Sequence, residues 1–380
     1  MKNKKLVMIP GPTPVLRSIQ DQMGRETVAF KDPDFVNDFK SVVKDLKELW
    51  KTSGEVFVIA GSGTLGMEMA VCNTVQKGDS ILIISHGYFG DRFTELCERK
   101  GLDIDVISSE WGKVVPVEDI KAKLESKNYK AVTVTHVDTA TGVMADIEAI
   151  GDVVKDFEDT MFIVDGVCAT AAAKEYVDEM HIDILLTGTQ KAFGVAPGLT
   201  MLWASEKAMA RRESLGMIPE YYADFNKWLP IMHDPMKYFG TPAVNLIWAL
   251  QESIRIIKEE GIDNRYDRHE KNANAMQKAV EALGFSILAE KGYRAVSLSN
   301  CLYPEGINDA EFRQVLADEG IVVAGGLGPY AGKLFRLGHM GNIDTHDMVS
   351  VIATIERALY KVGYPVKFGT GVGVLLENLM

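Results

Sequence analysis

Short apolar runs and helix-length amphipathic stretches alternate through the first two thirds of the chain. The runs Glu55–Ala60, Ser80–Ser85, Leu102–Ile107, Ala131–Thr135, Met161–Asp165, Ile184–Gly188 and Leu199–Ala204 read as seven strands, with helices such as Leu65–Gln76 and Ile147–Phe157 between them. That alternation predicts a mostly parallel sheet covered by helices. Ile81-Leu82-Ile83-Ile84 and Met161-Phe162-Ile163-Val164 are apolar throughout, as strands buried on both faces must be.

Beyond Pro242 the pattern changes. Val244, Ile247, Leu250, Ile254 and Ile257 recur at helical spacing, and a second helix follows over Asn264–Leu283, stopped by Gly284. The remainder reads as a smaller α+β domain whose helix Asp309–Asp318 has Asn308 as its N-cap and Glu311 three residues on. The expected organisation is an N-terminal arm over 1–20, a large domain over 21–255 and a small domain over 256–380. At 380 residues the chain exceeds what one core holds, which agrees with two domains. The apolar tail Val372-Gly373-Val374-Leu375-Leu376 finds no use in this scheme beyond packing on the domain or on a partner.

Composition narrows the function. The chain is 47% hydrophobic and 25% charged, ordinary for a globular protein, and its formal net charge of -12 argues against nucleic acid as a partner. No apolar run reaches the roughly 20 residues that span a bilayer. The basic start Met1–Lys5 is followed by an apolar stretch broken at Pro10-Gly11-Pro12, too short for a signal peptide. Cys72, Cys97, Cys168 and Cys301 are scattered without metal spacing, so reduced thiols, a cytoplasmic location and no metal site are expected.

Ligands of open α/β sheets sit at the carboxyl ends of the strands, and four such ends carry chemistry here. Gly61-Ser62-Gly63-Thr64-Leu65-Gly66 opens a helix with small residues and free amides, suited to a phosphate. The same string satisfies the dinucleotide pattern, but the next strand ends on Ser85-His86 without the acid that would hold a ribose; a turn without any ligand is the third possibility. Asp165 ends a buried strand and needs a partner, either a protonated pyridine nitrogen or, as a helix N-cap, a backbone amide. Lys191, in Thr187-Gly188-Thr189-Gln190-Lys191, follows one strand–helix–strand unit later, on the same rim of the sheet. One flat ring could span the two, its nitrogen toward Asp165 and an aldehyde carbon toward the Lys191 amine. In His86-Gly87-Tyr88-Phe89-Gly90 an aromatic could lie on that ring or belong to the core. Arg336, among the apolar residues Lys333–Gly338, needs an anion: a substrate carboxylate, or an internal acid.

Together these motifs resemble the class V aminotransferases of pyridoxal-phosphate (PLP) fold type I, and within them alanine–glyoxylate and serine–pyruvate aminotransferases. The likeness runs from Pro10-Gly11-Pro12-Thr13-Pro14 through Ser62-Gly63-Thr64, Gly87-Tyr88-Phe89-Gly90, Thr135-His136, Thr141-Gly142-Val143, Val164-Asp165 and Thr187–Lys191 to Gly326-Leu327-Gly328-Pro329 and Arg336. It implies an α/β fold with a seven-stranded, mostly parallel sheet and a smaller C-terminal α+β domain. It implies Lys191 as the Schiff-base lysine, Asp165 at the pyridine nitrogen, and Ser62, Gly63, Thr64 and Gln190 around the phosphate. Phe89 corresponds to the stacking aromatic, Thr139 to a hydroxyl near the ring's 3-oxygen, and Arg336 to the α-carboxylate arginine. Tyr238 and Thr241 correspond to residues that reach the phosphate of a neighbouring subunit, which makes a homodimer the expected unit. The implied reaction is a ping-pong transfer from alanine or serine to glyoxylate or pyruvate. Other donors such as 2-aminoethylphosphonate or ureidoglycine, and PLP lyase chemistry, stay open. One departure is Ala29-Phe30-Lys31, where many relatives carry His-Arg near the substrate. Cysteine desulfurases share the fold but need a loop cysteine; the loop Gly325–Tyr330 has none, and Cys301 lies upstream.

Overall fold

The computed structural model describes residues 5–380; the basic stretch over residues 1–4 lies outside them. Seven strands form the large sheet: β1 (Glu55–Ala60), β2 (Ser80–Ser85), β3 (Asp103–Ser108), β4 (Ala131–Thr135), β5 (Met161–Asp165), β6 (Ile184–Gly188) and β7 (Leu199–Ala204). Their order is β1-β7-β6-β5-β4-β2-β3. The third strand sits one residue later than its apolar pattern indicated, because Leu102 still belongs to the turn after Gly101. Only β7 runs against its neighbours. The physical reason is the connection: residues 189–198 contain no helix, and a parallel return needs a crossover of a dozen residues or more.

β4 to β7 are buried along their whole length, whereas edge strand β3 carries exposed Asp103, Val106 and Ser108. Neighbouring strands are in register at their ends: Thr135 faces Asp165 across β4 and β5, and Asp165 faces Leu186 across β5 and β6. The carboxyl ends therefore form one rim, and the loops that leave it carry most of the chemistry.

A second hydrophobic core gathers Phe285, Phe312, Phe335, Leu337, Ile352, Ile355 and Leu375. Its four-stranded sheet comprises β8 (Ser286–Ile287), β9 (Leu298–Leu302), β10 (Ala324–Gly325) and β11 (Leu334–Gly338), in the order β8-β9-β11-β10. The helices over Val244–Glu260 and Ile262–Ala282 lead into it, the latter starting two residues before its expected first turn. Asn308 caps the helix Asp309–Asp318 as its sequence indicates, accepting from the Glu311 amide at 3.0 Å.

Two terminal segments lock onto this part. Leu6–Val7 pairs in parallel with Ile321–Val322, and the carbonyl of Met8 accepts from the amide of Gly338 at 2.8 Å. The apolar tail forms a helix, Thr370–Leu379, packed on Ile262–Ala282 and Thr345–Lys361 with Leu375 fully buried. Buried Glu356 holds its start, accepting from the amides of Gly369, Gly371 and Val372 at 2.7, 2.7 and 3.3 Å. Glu356→Ala strands those amides and is expected to cost about 3 kcal/mol. Urea unfolding with hydrogen exchange checks this, since the amides of Thr370–Leu379 should lose protection first; equal protection in variant and wild type would show that the anchor is elsewhere.

Candidate active site

Asp165 ends β5 at the centre of the rim and is 3% exposed. Its carboxylate accepts from the Val167 amide at 2.9 Å, a local turn rather than a helix cap. Burial pushes its pKa up to about 6; the Val167 amide and the Lys191 charge oppose the rise, while Asp138 and Glu175 add to it. One amide is a thin partner for a carboxylate this deeply buried.

Lys191 lies three residues beyond the end of β6. Its Nζ donates to the carbonyl of Pro10, so the N-terminal segment passes directly over the amine. Thr13 fastens that segment, its hydroxyl donating to the Lys191 carbonyl at 2.7 Å and its amide to that of Gln190 at 3.0 Å. Gly11 is required here twice over: its φ is +118°, and a Cβ would stand 2.5 Å from Lys191 Cδ.

Beside them the helix Gly63–Cys72 opens onto the rim. Ser62 occupies its N-cap without a side-chain cap bond, which leaves the first-turn amides available to a ligand. Gly63 packs against the loop after Asp165, where a Cβ would come within 2.6 Å of Val167 Cγ2. The Thr64 hydroxyl accepts from Arg92 at 3.2 Å. The side-chain Oε1 of Gln190 is buried and has no hydrogen-bond partner. Phe89 is half-buried, with its ring 4.9 Å from the Arg92 guanidinium and edge-on to Tyr88.

Two residues that the sequence did not single out organise this rim. Asp138 is fully buried and accepts from the amides of Phe89, Gly90 and Ala140 at 2.9, 3.1 and 2.8 Å, so it clasps the first turn of the helix Tyr88–Lys100 to the Thr139 loop. Asn300, on β9, donates to the Ala140 carbonyl at 2.7 Å and ties the smaller domain to the same loop. Asp138 stands two residues before Ala140, whose amide it binds, and four before Gly142; that Asx-turn spacing was the available signal. Asn300 left none, because its role depends on a strand pairing. Thr139 is buried with its hydroxyl 2.7 Å from the Cys168 thiol.

Arg336 sits on β11 directly across from Asn300, so both side chains share one face of the small sheet. Its Nε donates to the Gly325 carbonyl at 2.7 Å. Among the described residues no acid pairs with it within 4 Å, which removes the internal ion pair as its explanation. Cys301 points to the other face, fully buried in the second core, and burial pushes its thiol well above the ordinary range. It is no loop nucleophile. Tyr238 and Thr241 stand apart from this cluster: both are exposed, with hydroxyls 3.5 Å apart, and Phe30 of the departing loop packs its ring 5.2 Å from that of Tyr238.

The donor set suits a phosphorylated pyridine aldehyde. It offers an uncapped helix N-terminus for the phosphate, a buried acid short of partners for the ring nitrogen, and a lysine amine on the same rim. Among the described residues no cluster of three His, Cys, Asp or Glu side chains could hold a metal ion, and no helix is long and apolar enough to cross a membrane.

Comparison with known proteins points the same way. The family model for class-V aminotransferases matches residues 22–334. An uncharacterized aminotransferase of Methanocaldococcus jannaschii is 37% identical, over 99% of this chain and 98% of its own. The L-aspartate–glyoxylate aminotransferase of Paracoccus denitrificans is 32% identical, over 100% and 97%. The crystal structure of an alanine–glyoxylate aminotransferase from Nostoc sp. superposes with a TM-score of 0.90 at 30% identity, covering 94% of this chain and 96% of that one. The chain belongs to the class-V aminotransferases, and its cofactor is pyridoxal phosphate.

Proposed function

We propose that this aminotransferase moves the amino group of a small amino acid, alanine or serine, to glyoxylate or pyruvate by a ping-pong mechanism. The observation that carries the reading is the convergence of Lys191 and Asp165 on one rim, with the unpaired guanidinium of Arg336 on the small sheet above it. Pyridoxal phosphate, when bound, supplies an electron sink for the α-carbon of the substrate.

The protein's own groups divide the remaining work. Ser62, Gly63, Thr64 and Gln190 hold the phosphate, Phe89 covers one face of the ring, and the Thr139 hydroxyl lies toward its 3-oxygen. The Asp165 carboxylate keeps the ring nitrogen protonated. The Lys191 amine would be the covalent attachment point for the cofactor aldehyde and, when free, would carry the proton of the substrate α-carbon. Arg336 grips the substrate carboxylate through its two terminal nitrogens, since Nε is already committed to Gly325. Tyr238 and Thr241 act in a homodimer, reaching the partner subunit's phosphate. Their exposure, and that of Met217, Tyr221, Tyr222 and Met236, supports a covered face. The division into an arm over 1–20, a large domain over 21–255 and a small domain over 256–380, and a cytoplasmic location, belong to the same proposal; two separate cores and four free thiols support them.

Glyoxylate as acceptor is supported by the Paracoccus and Nostoc relatives, whose names give different donors, aspartate and alanine. Phe30 on Tyr238, where relatives carry His-Arg, favours a small uncharged donor over aspartate. A panel of L-alanine, L-serine, L-aspartate and ureidoglycine against glyoxylate and pyruvate tests this. Alanine or serine should show the highest kcat/KM, and a clear preference for aspartate would overturn the donor assignment.

A further inference from the structure

Trp111 and Tyr330 have no part in the reading above, yet they meet face to face near the site. Their rings stack with centroids 5.7 Å apart and planes 19° from parallel. Trp111 lies in the loop after β3, on the large sheet's side. Tyr330 closes the turn over Gly325–Tyr330 that precedes Arg336. Both rings are only half-buried, and neither is part of either hydrophobic core, so the contact does not serve to fill the interior.

The Trp111 loop is held at both ends. The Ser109 amide donates to the Ser85 carbonyl at 3.4 Å, and the Val115 amide to His86 Nε2 at 3.1 Å. Ser85 and His86 end the strand that leads into Gly87-Tyr88-Phe89, the helix start clasped by Asp138. From the opposite side the Glu290 amide donates to the Gly112 carbonyl at 2.9 Å. The Tyr330 turn is closed on its own strand by Gly326 N to Leu334 O at 3.0 Å and Lys333 N to Tyr330 O at 3.0 Å. A second contact joins the two loops independently: a Cβ at Gly328 would stand 2.8 Å from Trp111 Cη2, so the indole fills the space that the glycine leaves.

We infer that Trp111 and Tyr330 are positioning residues: their stack fixes the Gly325–Tyr330 turn and, through the Gly325 carbonyl, aims the Arg336 guanidinium at the substrate carboxylate. The link is direct. Gly325 O accepts from Arg336 Nε at 2.7 Å, and with Nε held the two terminal nitrogens have one plane in which to meet a carboxylate. The pairing of β10 with β11 and the Gly326 amide on Leu334 hold that peptide from one side, and the stacked turn holds it from the other; releasing the turn from Trp111 loosens the second hold and with it the aim of Arg336. This inference rests on the carboxylate role proposed for Arg336.

Steady-state kinetics of the full-length, cofactor-loaded enzyme test it, with glyoxylate as acceptor and whichever of L-alanine or L-serine the panel shows to be the better donor. Trp111→Ala should raise KM for both substrates about tenfold, the equivalent of one charge-assisted hydrogen bond, with kcat changed by less than about threefold. Trp111→Phe, which keeps a ring in the stack, should stay near wild type. In an Arg336→Ala background Trp111→Ala should add nothing, because its effect passes through that guanidinium. Tyr330→Ala, the other half of the stack, should reproduce the KM rise and serves if Trp111→Ala fails to fold. An unchanged KM in the alanine variants, or an equal further rise on top of Arg336→Ala, would overturn the positioning role. A normal KM in Arg336→Ala alone would instead remove the carboxylate role itself.

Discussion

Lys191→Ala protein is expected to bind pyridoxal phosphate without the visible absorbance of a lysine-linked cofactor and to turn over at least about 10⁴-fold more slowly than wild type, because the role proposed for this side chain combines the covalent attachment and the proton carrier. The structure leaves little room for a substitute. The amine is set against the Pro10 carbonyl, and Gly11 packs on its methylenes so closely that no side chain fits there. Reconstituting the variant with the cofactor, recording its spectrum and following a single half-reaction with excess amino donor separates the two roles. Partial rescue by a small exogenous amine, without recovery of the lysine-linked spectrum, is the expected pattern. Normal turnover by the variant would remove Lys191 from the chemistry.

Asp165→Asn separates stability from function. In the cofactor-free protein burial raises the Asp165 pKa from an ordinary 3.8 to about 6. The folded chain thus holds this proton more tightly than the unfolded chain does. Its stability is unpenalised below about 3.8 and declines as the pH rises through about 6, by roughly 3 kcal/mol in all. The neutral amide escapes the penalty. Cofactor-free Asp165→Asn is therefore expected to unfold at higher urea than wild type at pH 8 and to lose that advantage near pH 4. With the cofactor the order should reverse: in the role proposed for Asp165 wild type would gain an ion pair with the ring nitrogen, and the variant, lacking a proton acceptor there, should lose about 10²–10⁴-fold in kcat. A cofactor-free variant no more stable than wild type at pH 8 would mean that the carboxylate has another stabilising partner.

Most of the sheet was legible because its central strands are buried on both faces and so read as unbroken apolar runs; Met161–Asp165 and Ile184–Gly188 end at the residues their patterns indicate. The edge strand β3 was placed one residue early because its alternating, half-exposed pattern leaves the start to the turn chemistry of Gly101-Leu102. The reversed direction of β7 was written in the chain, since the loop before it is too short for a crossover helix. Site residues at strand ends could be found for the same reason the strands could. Asp138 and Asn300 could not: one works by gathering three amides from a helix start and a loop, the other by reaching across domains, and neither act has a local sequence period. The tail helix illustrates the same limit, because its anchor Glu356 sits on the face of another helix and is revealed only by packing.

The pairing of Leu6–Val7 with Ile321–Val322 spans more than 300 residues of chain. During synthesis the segment that lays Pro10 over the lysine has no strand to join until residue 322 has left the ribosome. The large sheet can condense long before, and Thr13 can already fasten the segment to Gln190 and Lys191, but its strand pairing waits for residues 321–322. The segment that crosses Lys191 is thereby only half-anchored in a nascent chain, held by Thr13 alone until residues 321–322 have been made.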